Sequence, residues 1–171
     1  MPVSILVAYA TRAGSTGEVA EAIAQVLREQ GAEVDLRQLP FSGRLAAYDA
    51  VVLGAPIYNF RWHKDALRFL RRNRFILSSL PLAAFALGPF HDEEKEWGEV
   101  RDQFDRVLVE FPWMKLVSKN VFGGKYDPAS LRFPYSLMPG MKKLPVTDIR
   151  DWDAIRAWAE ELAEHFGAET Q

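Results

Sequence analysis

Three stretches of the chain, residues 3–10, 50–55 and 82–87, are apolar almost without interruption, and each is followed by a segment with helical spacing. A strand with one covered face alternates apolar and polar side chains, whereas an unbroken apolar run needs cover on both faces. Residues 116–122 read as another strand, and 33–39 as a half-buried one in which Val34, Leu36 and Leu39 alternate with polar partners. Helical spacing covers 16–30, 65–75, 93–111 and 152–166; Gly31 closes the first helix and Asp151 caps the last. Strands alternating with helices predict an α/β chain with a five-stranded parallel sheet and helices on both faces. At 171 residues the chain is sized for one domain over 1–171, with a long irregular connection at 125–150.

That connection holds Pro128, Pro134, Pro139 and Pro145, the apolar Leu131, Phe133, Tyr135, Leu137, Met138 and Met141, and the bases Lys125, Arg132, Lys142 and Lys143. Connections of this length are functional or disordered, and the apolar content argues for function or for packing over the sheet edge. Hydrophobic residues at 49% and charged residues at 26% match a globular protein. No apolar run nears the ~20 residues of a membrane span, and the start "MPVSILVAYA" lacks the basic region of a signal peptide. With no cysteine, thiol nucleophiles and thiolate metal sites are excluded, in keeping with a cytoplasmic protein. Three scattered histidines give no metal-ligand spacing, and no G-x-S-x-G elbow occurs, so neither a metal site nor an obligatory catalytic side chain is expected. Residues 61–74 carry six bases and one acid, and acidic blocks follow at 92–110 and 151–169. No basic stripe interleaved with aromatics speaks for nucleic acid.

The first apolar run breaks into Thr11, Arg12, Ala13, Gly14, Ser15 and Thr16 before its helix. In open α/β sheets ligands bind beyond the carboxyl ends of the strands, where this loop falls. Hydroxyls, a glycine and a helix N-terminus together suit a phosphate; the alternative is a plain helix start capped by Ser15 or Thr16. The loop is neither G-x-G-x-x-G nor a Walker motif, which favours a monophosphate over a pyrophosphate. "VAYATRAGSTGEVAEAI" resembles the flavodoxin signature, with Tyr9, Thr11, Gly14, Thr16 and Ala20 on the pattern and Ala8 smaller than usual. The resemblance implies a flavodoxin-like doubly wound sheet of order 2-1-3-4-5 and FMN whose phosphate residues 11–16 hold, Arg12 pointing outward or capping it.

Two further loops then become flavin loops. "GAPIYNFRWHKDAL" supplies Pro56, Ile57, Tyr58, Asn59, Phe60 and Trp62, with Tyr58, Phe60 and Trp62 at two-residue spacing. Tyr58 or Trp62 is expected to stack on the flavin ring; the alternative is a hydrophobic staple onto the next helix. "LGPFHDEE" supplies Gly88, Pro89, Phe90 and His91, with Phe90 covering the ring and the backbone meeting its pyrimidine edge. His63 is expected to cap the basic helix, and His91 to be a surface residue, a neighbour of a helix cap or a proton donor.

"GAPIYNFRWHKDALRFL", "VFGGKYDPASLRFPYSLMPGMKKL" and "DIRDWDAIRAWAEELA" resemble the flavodoxin-type protoporphyrinogen oxidases. That resemblance implies an FMN-dependent oxidoreductase passing electrons from a porphyrinogen to a quinone, with peripheral contact at the inner face of the membrane. The bases after the first flavin loop would suit propionates or anionic headgroups. The alternative is a small electron carrier that docks on redox partner proteins and has no substrate of its own. The connection is shorter than those oxidases carry. An NAD(P)H-dependent quinone reductase lacks support from any second nucleotide motif.

Overall fold

A computed structural model describes residues 1–127, 137, 140 and 146–169. Strand β1 (Ser4–Tyr9) lies at the middle of a parallel sheet, between β2 (Glu33–Gln38) and β3 (Ala50–Tyr58). Next to β3 come β5 (Pro81–Leu87) and then β6 (Lys115–Phe122), so the order is β2-β1-β3-β5-β6. The two-residue strand β4 (Arg61–Trp62) pairs antiparallel with the end of β3 outside this path. Counting the five long strands alone, the order is the expected 2-1-3-4-5, as it runs in flavodoxin-like sheets.

The apolar runs split between two cores because successive side chains leave a strand on opposite faces. Leu6, Ala8, Val51, Leu53, Leu82 and Ala84 point to one face. There they meet α2 (Lys64–Arg72), the single-turn α3 (Arg74–Leu77) and α4 (Glu94–Val109) through Leu70, Leu77 and Phe104. Ile5, Val7, Val52, Ala83 and Phe85 point to the other face. Helix α1 (Ser15–Glu29) and helix α5 (Trp152–Glu169) cover it. Val19, Ala20, Ile23, Ala24 and Leu27 form the stripe of α1, and Ile155, Trp158, Ala159, Leu162 and Phe166 that of α5. Fully burying a side chain such as Ile23 or Leu27 stabilises by about 1.5–3 kcal/mol, so the two stripes fix both helices on the sheet. Asp151 caps α5 as expected, its Oδ1 accepting from the Ala154 N–H at 3.0 Å.

Three boundaries differ from the sequence reading. Strand β3 runs on to Tyr58 because Ile57 and Tyr58 pair with Trp62 and Arg61. The helix expected over 65–75 breaks at Asn73, whose side-chain amide donates to the Phe69 carbonyl and ends α2. The connection at 125–150 is clasped at its two ends by β7 (Lys125–Tyr126) pairing antiparallel with β8 (Thr147–Asp148). Of its expected apolar residues, Leu137 is exposed; Leu131, Phe133, Tyr135, Met138 and Met141, the four prolines, and Arg132, Lys142 and Lys143 lie outside the described residues.

At the sheet centre, a Cβ built on Gly54 would fall 1.9 Å from Cζ of the fully buried Phe85. The ring is held by Phe122 and Trp158 at centroid distances of 6.0 Å each, so it has nowhere to retreat. Gly54→Ala is expected to lower unfolding free energy by about 1–3 kcal/mol, the usual cost of overpacking, measured by urea denaturation.

Candidate functional site

The carboxyl end of β1 runs into a tight loop built by its own side chains and glycine. Ala10 N–H donates to the Gly54 carbonyl at 3.0 Å, carrying the β1–β3 ladder one residue past the strand. Thr11 Oγ1 accepts from the Gly14 N–H at 2.8 Å, closing the turn over residues 11–14. Gly14 occupies the helix N-cap position at φ +95°, a left-handed conformation that costs glycine little. Neither Ser15 nor Thr16 caps the helix, which corrects the plain-cap alternative: α1 starts with no side-chain cap at all. Thr16 is 1% exposed, and its Oγ1 has no hydrogen-bond partner among the described residues. A buried hydroxyl left without a partner costs about 1–3 kcal/mol. Placed at a helix N-terminus among free N–H groups, it supplies one more donor for an anion. The loop therefore fits a phosphate.

Beside this loop opens a cleft of about 280 Å³. Arg12, Ala13, Ser15 and Thr16 line one end, and Pro56, Tyr58, Leu87, Phe90, Gly124 and Lys125 the rest. Tyr58 and Phe90 meet at a centroid distance of 5.8 Å, and Phe90 in turn meets Tyr126 edge-on at 5.9 Å. The Arg12 guanidinium lies over the Tyr58 ring, 4.5 Å from its centroid, in a cation–π contact. A flat ring set between two aromatic faces needs about 7 Å, two contacts of about 3.5 Å. Tyr58 and Phe90 must therefore part, or the ring must lie against one of them. In kind, the wall residues suit a flat apolar ring once Tyr58 and Phe90 part or the ring lies against one of them, and the loop suits a phosphate.

The remaining expected residues are placed elsewhere. Trp62 is 1% exposed, donates from Nε1 to the Ala55 carbonyl at 2.9 Å and packs edge-on against Phe104. Its faces are taken up by the core, so the expectation that it stacks in the cleft is corrected; of the two residues expected to stack, Tyr58 is the one that lines the cleft. The hairpin explains this, because cross-strand partners share a face. Trp62 opposes buried Ile57, while Tyr58 opposes Arg61. Asn59 and Phe60 form the turn between them at φ +48° and +66°, as a two-residue type I′ turn requires. Asparagine tolerates this; a phenylalanine held there costs of order 1–3 kcal/mol. Phe60 is nonetheless 76% exposed, so no packing offsets that cost.

In the second loop, Gly88 N–H donates to Phe122 O at 3.2 Å and Phe90 N–H to Glu96 Oε1 at 2.8 Å. Pro89 has no N–H, and its carbonyl accepts from Gly124 at 2.8 Å. The backbone donors expected to meet a ring edge from 88–90 are thus spent on the fold. His91 is an exposed residue whose Nδ1 lies 3.1 Å from Glu96 Oε2. Leu87, Gly124 and Lys125 were missed as lining residues. Their signal was positional, since each follows or ends a strand on the carboxyl edge of the sheet.

One buried cation holds the first turn of α1, behind the loop over 11–16. Arg150, with its side chain 4% exposed, donates through Nη1 to Glu18 Oε2 at 2.6 Å and through Nε and Nη2 to Asp148 at 2.9 and 2.8 Å. This offsets the charge of Glu18, which sits in the first turn of α1. The same contacts hold Asp148 below the usual carboxylate range, chiefly through the Arg150 hydrogen bond. Among the described residues no group of three or more His, Asp or Glu side chains can hold a metal. Among them, too, no helix is long and apolar enough to cross a membrane.

The flavodoxin domain, as a protein family, matches residues 6–138, and the chain belongs to that family. Protoporphyrinogen IX dehydrogenase (quinone) of Escherichia coli K12 is 24% identical over 169 residues, covering 92% of this chain and 93% of that protein. Oxidised flavodoxin 1 from Bacillus cereus superposes with a TM-score of 0.61 at 20% identity, over 95% of this chain and 98% of its own. The flavodoxin of Streptococcus pneumoniae TIGR4 superposes with a TM-score of 0.59 at 18% identity, over 97% and 99% of the two chains.

His63 caps α2 as expected, its Nδ1 accepting from the Asp65 N–H at 3.1 Å. Burial, then the neighbouring charges of Arg12 and Lys64, lower its pKa from 6.5 against the opposing pull of Asp65. The unfolded chain therefore binds this proton at higher pH than the folded one, and folding stability falls as pH drops from about 6.5 toward the depressed folded value. Asparagine caps helices without titrating. His63→Asn is expected to remove that part of the pH dependence while keeping stability at pH 8 within about 1 kcal/mol, measured by urea unfolding across pH 5–8.

Proposed function

We propose, from the premise that the chain is a flavodoxin-domain protein, that it is an FMN-dependent oxidoreductase in one flavodoxin-like domain. It would take electrons from a porphyrinogen and deliver them to a quinone. The observation that carries the cofactor is Thr16: a buried, unpartnered hydroxyl at the mouth of a helix, beside a cleft walled by Tyr58 and Phe90. Flavodoxin-like sheets hold FMN at the β1/β3 switch point, where this cleft opens. FMN, when bound, supplies reversible electron and hydride exchange with its partner molecules.

The chain's own residues would then do three things. Thr11, Gly14 and Thr16, with the first N–H groups of α1, bind the phosphate, and Arg150 keeps the Glu18 charge neutralised beside it. Tyr58, Leu87 and Phe90 enclose the ring in apolar surface, which disfavours a negative charge on it and raises the energy of its anionic reduced form. Arg12 lies over Tyr58 and Lys125 lines the same cleft, so each brings a positive charge beside the ring.

The substrate class rests on the similarity to the dehydrogenase along almost the whole chain and on the bases that follow the first loop. Phe75 is 94% exposed beside Arg71, Arg72 and Arg74, a composition suited to peripheral contact with an anionic bilayer on the cytoplasmic side. A small electron carrier docking on partner proteins is the second reading, in keeping with the end-to-end superposition on solved flavodoxins. Anaerobic addition of protoporphyrinogen IX to the FMN-loaded protein separates them. Bleaching of the flavin, reversed by a quinone, is expected of the oxidoreductase; a flavin untouched by porphyrinogen yet reduced by a ferredoxin reductase would return the protein to the carriers.

The phosphate claim has its own test. Thr16→Val keeps the shape and removes a hydroxyl that has no partner, so unfolding free energy without ligand is expected to hold or rise by up to about 1 kcal/mol. FMN affinity is expected to fall by about 1.5–3 kcal/mol, the worth of a hydrogen bond to a charged group, and riboflavin affinity to stay unchanged. Calorimetric titration of both ligands checks this; equal losses for the two would place the phosphate elsewhere.

A further inference from the structure

On the other side of the β3–β4 hairpin from the cleft lies an open groove of about 770 Å³, larger than the cleft itself. Its floor is the buried Trp62 with Leu67 of α2 and Val107 of α4. Its rim carries Phe60, Arg61, Arg71 and Glu110. The charges are unequal. Arg71 lies 3.8 Å from Glu110 and packs over the Phe111 ring, whereas the exposed Arg61 side chain has no ion pair or hydrogen bond among the described residues. One guanidinium is left uncompensated in a groove lined by both charged and apolar side chains. At the lip stands Phe60, an aromatic ring in a left-handed backbone conformation and 76% exposed. A bulky residue kept in such a conformation with nothing packed on it marks a place where the chain spends stability on presentation.

We propose that this groove is a second binding site, for a flat apolar molecule that carries carboxylates. Phe60 supplies a face for the flat body, Leu67 and Val107 the apolar contact, and Arg61 and Arg71 planar forks that match carboxylate geometry. Carboxylates fit better than a phosphate, because Glu110 remains in the rim and a phosphate would bring two negative charges to it on a single group. The site stands a turn's width from the cleft: Tyr58 lines one and Phe60 the other, two residues apart and so at most about 7 Å between their Cα atoms. A ring docked on Phe60 is thus held beside the flavin-class cleft without entering it. The use of the site as a substrate dock rests on the oxidoreductase reading above; its occupancy does not.

The test is fluorescence titration of the full-length, FMN-loaded protein with protoporphyrin IX, a dicarboxylate, and with its dimethyl ester. Wild type is expected to bind the free acid more tightly than the ester. In the double variant Arg61→Gln/Arg71→Gln the affinity for the free acid is expected to fall at least tenfold and that for the ester to change less than twofold. Phe60→Ser is expected to weaken both several-fold, FMN affinity staying as in wild type. Arg37→Gln, which removes an exposed base from β2 outside the groove, is expected to do nothing. Wild type that binds neither probe, a double variant that binds the acid as wild type does, or an Arg37→Gln variant as weakened as the double variant would each overturn the groove. Protein that binds the probe through Arg61 but never exchanges electrons with protoporphyrinogen IX would keep the groove and sink the oxidoreductase reading. Turnover that survives in the double variant at low substrate concentration would keep the oxidoreductase reading and overturn the groove as its substrate dock.

Discussion

Strand β1 hydrogen-bonds to β2 on one side and to β3 on the other, and α1, which leaves β1, goes to the opposite face of the sheet from α2, which follows β3. A right-handed crossover leaves no other route, so the chain parts at the carboxyl end of β1 and a crevice opens there. Everything chemical in the molecule depends on that parting. The loop over 11–16 closes one end of the crevice, the extension of β3 forms its side, and the turns after β5 and β6 form its far wall. The sheet centre that supports this is packed without slack, as the near-contact of Gly54 with the Phe85 ring shows.

Polar groups near the crevice divide into those that hold the loops and those left available. Glu96 holds the Phe90 backbone, Arg150 joins Asp148 to Glu18, and Thr11 closes its own turn. Thr16 is the buried exception at the loop. Rigid supports around one unsatisfied donor are what a preorganised anion site needs, because the ordering cost is met during folding rather than binding.

Much of this was legible in the sequence. Unbroken apolar runs gave the central strands because two-faced burial admits no polar residue, and the small, hydroxyl-rich loop after β1 marked the anion end. The reading of Trp62 failed for a definable reason. Two-residue spacing keeps Tyr58, Phe60 and Trp62 on one face only while the chain stays extended. The turn at Asn59 and Phe60 reverses the chain, and its second residue is one that turn statistics do not favour. Likewise Asn73 ends α2 through a side-chain bond to a carbonyl that periodicity cannot register. Gly124 and Lys125 escaped because lining a cleft is a property of strand order, which local patterns do not carry.

The cap at the start of α2 fixes a tautomer. His63 Nδ1 accepts from a backbone N–H, so in the neutral ring the proton resides on Nε2. The imidazole therefore turns a donor toward its surroundings, and its one lone pair is engaged by the Asp65 N–H, so taking up a proton there costs the cap. One accepted hydrogen bond from a helix thus decides which nitrogen of this histidine is left to donate, and ties its protonation to the start of α2.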